Sequence, residues 1–142
     1  MAEQVRKPPA LDMVALADRD TFVRSLGIEV VEVWQGGAVC RVAIEDRHLN
    51  FNGVVHGGLI FSLSDSALGY ASNAAGLMTA AIDAHILYSR PTRAGDVLTA
   101  TAVEITRTSR LASYRIDVVR RDGSLVAAMT GTTFISDRPP GG

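Results

Sequence analysis

Residues 56–76 read HGGLIFSLSDSALGYASNAAG. Apolar and small residues recur there at helical spacing, which predicts one long helix over residues 57–75. Asp65 is the only Asp, Glu, Lys or Arg between His48 and Ile82. We expect this segment to be buried on nearly every side, and a buried carboxylate is costly unless it is paired, protonated or used in chemistry. Asp65 is therefore the first candidate for a catalytic residue.

The segments around this helix indicate a sheet protein. A short helix is predicted over 11–26, and extended segments over 28–34, 39–44, 78–89, 97–106, 112–121 and 125–135. Strands grouped apart from helices are typical of an α+β protein with an antiparallel sheet. Because the long helix has no wholly polar face, it needs cover on more than one side, from a curved sheet or from a second subunit.

Length and charge limit the classes of protein that fit. The 142 residues fit one domain, 1–142, with flexible ends expected over 1–10 and 136–142. Fourteen basic and fifteen acidic residues leave a net charge of −1, which favours neither nucleic acid nor a membrane surface as a partner. Polar residues interrupt the least charged stretch and argue against a transmembrane span. A single cysteine, Cys40, and no segment resembling a signal peptide predict a cytoplasmic setting.

The start of the long helix is a candidate site for an anion or a developing oxyanion. Backbone N–H groups at Gly57 and Gly58 would have no partner within the helix and would carry its partial positive charge. Asp65 lies eight residues further on, which is about 12 Å along a helix and too far to share one reacting centre. Two antiparallel helices related by a two-fold axis would bring Gly57 of one chain to Asp65 of the other. We therefore predict an obligate homodimer with two composite sites.

The central motif resembles that of a known family. Residues 48–73 read HLNFNGVVHGGLIFSLSDSALGYASN, with Asn50 six residues before His56 and Asp65 nine residues after it. This spacing resembles the signature of hotdog-fold acyl-CoA thioesterases and, within them, the phenylacetate-degradation (PaaI-type) group. The resemblance covers about residues 26–135.

A second motif extends the resemblance. Residues 82–96 read IDAHILYSRPTRAGD, in which Asp83 precedes the proline by eight residues and Tyr88 precedes it by three. This stretch is similar to the second signature of the family. The resemblance implies a substrate-binding position for Asp83 and Tyr88, although Asp83 could also be a structural or interface acid.

The resemblance implies a fold and an assembly. Members of the family have six antiparallel strands wrapped around one long central helix, and they form homodimers and often homotetramers. The implied reaction is hydrolysis of an acyl-CoA thioester, here of an aryl or hydroxyphenylacetyl type, to the free acid and CoA. It uses no metal and no cofactor beyond the coenzyme A of the substrate.

The resemblance also implies roles for the residues of the central motif. The amide of Gly57 polarises the thioester carbonyl, and Asp65 of the partner acts as the nucleophile or as the general base on water. Asn50 orients that water, and His56 positions the substrate or the loop. Some relatives carry a second water-positioning Ser where this chain has Ala81, so that role is absent or falls to Thr79.

The binding of coenzyme A is implied near the start of the fifth strand. The matching residues are Arg107, Thr108, Ser109 and Arg110, whose guanidinium and hydroxyl groups suit phosphate recognition. An ordinary solvated hairpin is an equally good interpretation of this stretch. For the acyl group, the candidate pocket residues are Phe51, Leu59, Phe61 and Tyr88.

Two other functions are compatible with the same motifs. A hotdog hydratase or dehydratase would act on the acyl chain of a thioester, but the His-Phe-Pro signature of that branch is missing. A non-catalytic acyl-CoA-binding module would bind without turnover. Release of free CoA separates both from a thioesterase.

Overall fold

The computed structural model describes residues 5–141. The elements in chain order are α1 (Met13–Asp18), α2 (Thr21–Ser25), β1 (Glu29–Trp34), β2 (Gly37–Ala43), a 3-10 turn (Asp46–His48), α3 (Gly57–Asn73), β3 (Thr79–Tyr88), β4 (Val97–Arg107), β5 (Leu111–Val119) and β6 (Leu125–Ile135). Within this described part, no helix is long and apolar enough to cross a membrane.

The six strands form one antiparallel sheet in the order β1-β2-β4-β5-β6-β3. The third strand is out of sequence order because it follows α3 and pairs with β6, with Thr79 opposite Ile135 and Tyr88 opposite Ala127. Helix α3 contacts all six strands. The predicted α+β fold, a six-stranded antiparallel sheet wrapped around one long helix, is confirmed.

The core lies between α3 and the concave face of the sheet. The helix buries Leu63, Ala67 and Ala71 completely on its inner side. Gly131 of β6 permits the close approach, because a Cβ there would lie 2.9 Å from the Cδ2 atom of Leu68. Burial of this apolar side fixes which side of α3 faces outward.

The segment 11–26 differs from the single helix predicted for it. It forms two short helices, α1 and α2, separated by Arg19 and Asp20. The side chain of Asp12 accepts a hydrogen bond from the Ala15 N–H, and that of Asp20 accepts one from the Val23 N–H. Each Asp thus caps the N-terminus of its own helix, so the chain restarts the helix at Asp20 instead of continuing it.

The described parts of both termini pack against the domain. In the N-terminal arm, the Lys7 carbonyl accepts a hydrogen bond from Gln35, and the Ala10 N–H donates to the Ala74 carbonyl. At the other end, Arg19 donates to the Gly141 carbonyl, which lays the tail across α1. The flexibility expected over 1–10 and 136–142 stays a prediction. Residues 1–4 and 142 lie outside the described chain.

Candidate active site

The outer side of α3 carries a narrow stripe that the sheet does not cover. Gly58, Phe61 and Asp65 are exposed along it, and Ser62 and Ser66 are half-buried beside them. The sheet wraps the opposite side of the helix, so the expectation that Asp65 is buried on nearly every side is wrong for a single chain. Its carboxylate is instead available on the surface.

Asp65 has no hydrogen-bond or ion-pair partner among residues 5–141. The neighbouring serines do not cap it, because Ser62, Ser64 and Ser66 each donate to the carbonyl four residues earlier. Partial desolvation by the surrounding protein raises the pKa of Asp65 above its ordinary value. An unpaired carboxylate with a raised pKa on an open surface is a good proton acceptor or nucleophile.

The first turn of α3 leaves one backbone donor free. The imidazole Nδ1 of His56 accepts a hydrogen bond from the Gly58 N–H at 2.8 Å, which makes His56 the N-cap of the helix. Among the described residues, no acceptor faces the N–H of Gly57. The hydroxyl of Tyr88 donates to the Gly57 carbonyl at 3.0 Å. The Gly57 N–H is therefore available to an external oxygen. The Gly58 N–H, which was also expected to be free, is instead bonded to His56.

Asn50 lies in the loop that leads into α3. Its side-chain oxygen accepts hydrogen bonds from the N–H groups of Asn52 and Val54, which folds the loop into a tight turn. The amide nitrogen of Asn50 has no acceptor in the described chain, so this group is the part of Asn50 that can still contact water or substrate.

The structure thus brings Tyr88, Gly57 and His56 together at one end of the molecule, but not Asp65. Asp65 and Gly57 lie on the same straight helix, eight residues or about 12 Å apart. Within a single chain, the Gly57 N–H and the Asp65 carboxylate are therefore too far apart to contact one reacting centre.

The four residues predicted to bind coenzyme A lie at the opposite end of the sheet from Gly57: Arg107, Thr108, Ser109 and Arg110. The Arg110 carbonyl accepts a hydrogen bond from the Ile135 N–H, and Ile135 pairs with Thr79 at the start of β3. The Thr79 N–H in turn donates to the side chain of Asn73, the last residue of α3. Arg107 pairs with Glu104, and Arg110 pairs with Asp137.

The hydroxyl groups of this turn also have local partners. The Thr108 hydroxyl donates to the Leu111 carbonyl and accepts from the Arg110 N–H, so it shapes the β4–β5 turn. Ser109 lies exposed within that turn. The ordinary-hairpin interpretation therefore accounts for the internal bonds of this stretch.

Two further positions have structural partners. One carboxylate oxygen of Asp83 accepts a hydrogen bond from the Thr132 N–H at 3.1 Å, at the point where a bulge interrupts the β3–β6 register. The Thr79 hydroxyl bonds to Ser72 and to the Asn73 side chain, which ties β3 to the end of α3. Both groups are engaged within the chain.

Sequence reasoning missed a cavity that adjoins Asp65. This open cavity has a volume of about 320 Å³ and lies between α3, the two short helices and the C-terminal tail. Leu16, Asp20, Tyr70 and Pro140 belong to its lining. None of the four residues predicted to shape the acyl pocket lines it. No local signal could have found it, because its walls come from segments more than 40 residues apart in the sequence.

A six-stranded antiparallel sheet around one long helix is the fold of the hotdog thioesterases, and the comparisons with known proteins agree. The model of the Thioesterase superfamily matches residues 52–127. The chain belongs to this superfamily and is a thioester hydrolase.

The relatives lie in the group that the motifs indicate. The chain is 35% identical over 117 residues to the acyl-coenzyme A thioesterase PaaI of Escherichia coli, covering 82% of this chain and 84% of that protein. The solved structure of the E. coli PaaI protein superposes with a TM-score of 0.87 at 32% identity, covering 89% of this chain and 92% of that one. The TT0310 protein of Thermus thermophilus gives a TM-score of 0.79 at 41% identity, covering 82% of this chain and 97% of that one.

Proposed function

We propose that this protein hydrolyses aryl-acyl-CoA thioesters to the free acid and CoA, in two sites shared between the subunits of a homodimer. The observation that carries the proposal is the pair of unpartnered groups on α3, the Asp65 carboxylate and the Gly57 N–H. The E. coli relative is named an acyl-coenzyme A thioesterase, and its structure is described as coming from a phenylacetic acid degradation operon. The first description supports an acyl-CoA substrate, and the second supports an aryl group on it.

The reaction follows from the two groups. The Gly57 N–H of one chain donates to the thioester oxygen and stabilises the negative charge that develops there. Asp65 of the partner either removes a proton from the attacking water or attacks the carbonyl carbon itself, after which water cleaves the anhydride. In both routes the C–S bond breaks, one water is consumed, and the thiolate takes up a proton to give CoA. The amide nitrogen of Asn50 is the donor that holds the water.

The outer edge of β3 supports the homodimer. All ten residues of this strand are exposed or half-buried, and Ile82, Leu87 and Tyr88 are exposed hydrophobic residues on it. The strand contains no Pro and no Lys, the residues that commonly protect an open edge. At the other edge, by contrast, β1 carries Glu32, which pairs with Arg6 of the N-terminal arm. An open apolar edge of this length is suited to pairing with a second copy of itself.

Antiparallel pairing of two β3 strands would also complete the site. It would place the α3 C-terminal end of one chain beside the α3 N-terminal end of the other. The β4–β5 turn with Arg107 and Arg110 lies near the C-terminal end of α3, and Gly57 lies at its N-terminal end. The CoA phosphates could then contact the basic turn of one subunit while the thioester contacts Gly57 of its partner.

A charge on the β3 edge should separate the subunits. In the Ile82→Lys variant, two ammonium groups would face each other near the middle of the paired strands, so we expect dissociation at micromolar concentration and loss of hydrolysis in parallel. Analytical ultracentrifugation measures the mass and distinguishes monomer, dimer and tetramer. Ile105→Lys is the matched control, because Ile105 is equally exposed on β4 away from this edge. An active monomeric Ile82→Lys protein would contradict the shared site.

The proposed activity itself is tested by thiol release from a panel of acyl-CoA thioesters. We expect continuous formation of free CoA, with aryl-acetyl and hydroxyphenylacetyl thioesters hydrolysed faster than short straight-chain ones. A changed acyl chain without CoA release would identify a hydratase. Stoichiometric binding without turnover would identify a binding module.

A further inference from the structure

The cavity beside Asp65 has the size and lining of a small-molecule pocket. Its volume of about 320 Å³ exceeds that of a single substituted aromatic ring and lies at the lower end of the range for ligand pockets. Met13, Leu16 and Val23 supply apolar wall from the short helices. Asp65, which is exposed, contributes to the same lining from α3, so the cavity adjoins the reacting carboxylate.

The cavity also contains a preorganised polar pair. The hydroxyl of Tyr70 donates to Oδ2 of Asp20 at 2.9 Å, and Oδ1 of Asp20 accepts from the Val23 N–H at 3.2 Å. A carboxylate has about four acceptor positions, so two remain for a ligand. Burial and the bond to Asp20 raise the pKa of Tyr70, which keeps the phenol protonated.

The charge of the lining restricts what can enter. Among the described residues that line the cavity, Asp20 and Asp65 are the only charged ones, and both are acidic. A neutral group with a hydrogen-bond donor fits these surroundings, whereas a second carboxylate would be repelled and left without a cation.

Along the axis of α3, Asp65 and Tyr70 are separated by about the length of one substituted ring. Tyr70 lies five residues after Asp65, which is about 7.5 Å along the helix axis. An acetyl group that carries a phenyl ring with a para hydroxyl spans a similar length from its carbonyl carbon to its oxygen.

We propose that this cavity receives the acyl group of the substrate and that Asp20, held by Tyr70, accepts a hydrogen bond from a hydroxyl group at the far end of its ring. The proposal rests on the proposed thioesterase function for the identity of the ligand. It assigns specificity to α1 and α2, which lie outside both family motifs in the sequence.

The first test measures binding without turnover. Nonhydrolysable thioether analogues of 4-hydroxyphenylacetyl-CoA and phenylacetyl-CoA are titrated into the full chain by calorimetry. A hydrogen bond to a charged acceptor predicts that the hydroxylated analogue binds on the order of 10-fold to 100-fold more tightly. Equal affinities would overturn the proposal. If the preference is present but no CoA ester is hydrolysed, the pocket assignment stands and the proposed function fails.

The second test removes the acceptor and keeps the fold. Asp20→Asn retains an oxygen for the Val23 N–H, since Asn is as good an N-cap as Asp, but places an amide donor where the ligand hydroxyl would donate. We expect the affinity ratio of the two analogues, and the matching ratio of kcat/KM, to fall towards one. Asp12→Asn is the matched control, because Asp12 caps α1 in the same way and does not line the cavity.

The pattern across the two analogues separates recognition from a structural role. If Asp20 has only a structural role, the Asp20→Asn variant would bind both analogues more weakly by the same factor, and the ratio of their affinities would stay unchanged. That result would overturn the proposal. Tyr70→Phe provides an independent variant if Asp20→Asn folds poorly. Removal of the phenol frees the orientation of Asp20, so the ratio should again decrease, and an unchanged ratio in Tyr70→Phe would equally count against the assignment.

Discussion

Asp65→Asn should lower the turnover of acyl-CoA thioesters by about 10³-fold or more, because the variant loses the only carboxylate on α3, the group proposed to take a proton or attack the carbonyl. The amide has nearly the same shape and cannot do either. Steady-state kinetics with an aryl-acetyl thioester measures the effect. Asp18→Asn is the matched control, since Asp18 is an exposed carboxylate on α1 that does not line the cavity beside Asp65. Turnover within a few-fold of the original protein would remove Asp65 from the mechanism.

The same substitution should not destabilise the fold. The pKa of Asp65 is raised in the folded chain, so between its unfolded and folded pKa values the native state binds more protons than the unfolded state. Stability therefore falls as pH rises through that window, and the ionised form is the less favourable one in the native protein at neutral pH. We expect the Tm of Asp65→Asn at pH 7 to equal or exceed that of the original chain. Because the pKa of Asp65 is raised, the pH profile of kcat/KM should fall on its acid side with an apparent pKa above that of an ordinary Asp.

Local chemistry explains why much of this fold was readable from the sequence. The stretch over 57–75, in which Asp65 is the one charged residue, has the apolar spacing of a helix, and the structure places α3 at Gly57–Asn73. The predicted extended segments match the six strands to within two residues at each end. The start of α3 at Gly57 was predicted correctly because the beginning of a helix depends on a few adjacent residues.

The features that the sequence did not predict depend on contacts between distant segments. The break at Asp20 was missed because residues 11–26 were interpreted as one helix, whereas Asp20 caps α2 and also bonds to Tyr70, fifty residues away. The cavity beside Asp65 was missed for the same reason. The exposure of Asp65 in one chain could not be predicted from its neighbours in the sequence, because it depends on which side of α3 the sheet covers.

Removal of a single N–H group is expected to inactivate the other half of the site. Gly57 is the first residue of α3, where proline is well tolerated, and the preceding His56 has φ −62° and ψ 132°, which suits a residue before proline. Gly57→Pro therefore removes the proposed oxyanion donor at little cost to the helix, and kcat should fall on the order of 10²-fold to 10³-fold. Gly57→Ala is the control that keeps the N–H, and its Cβ would meet the Tyr88 ring at 3.4 Å, an ordinary contact.

Heterodimers then decide whether the two halves come from different chains. One subunit carries Gly57→Pro and the other Asp65→Asn, with different tags, and the mixed dimer is isolated by sequential affinity steps. If Gly57 of one chain works with Asp65 of the other, one of the two sites contains both intact residues, so two inactive proteins combine to give about half of the original activity per dimer. If both residues act within one chain, every site carries a lesion and activity stays near zero. A second heterodimer, in which one subunit carries both substitutions and the other carries none, should give the opposite activities. An original subunit joined to one that carries both substitutions has no intact shared site, whereas a site within one chain would retain half of the activity. The two heterodimers contain the same substitutions in different arrangements, so only the location of the site can make their rates differ.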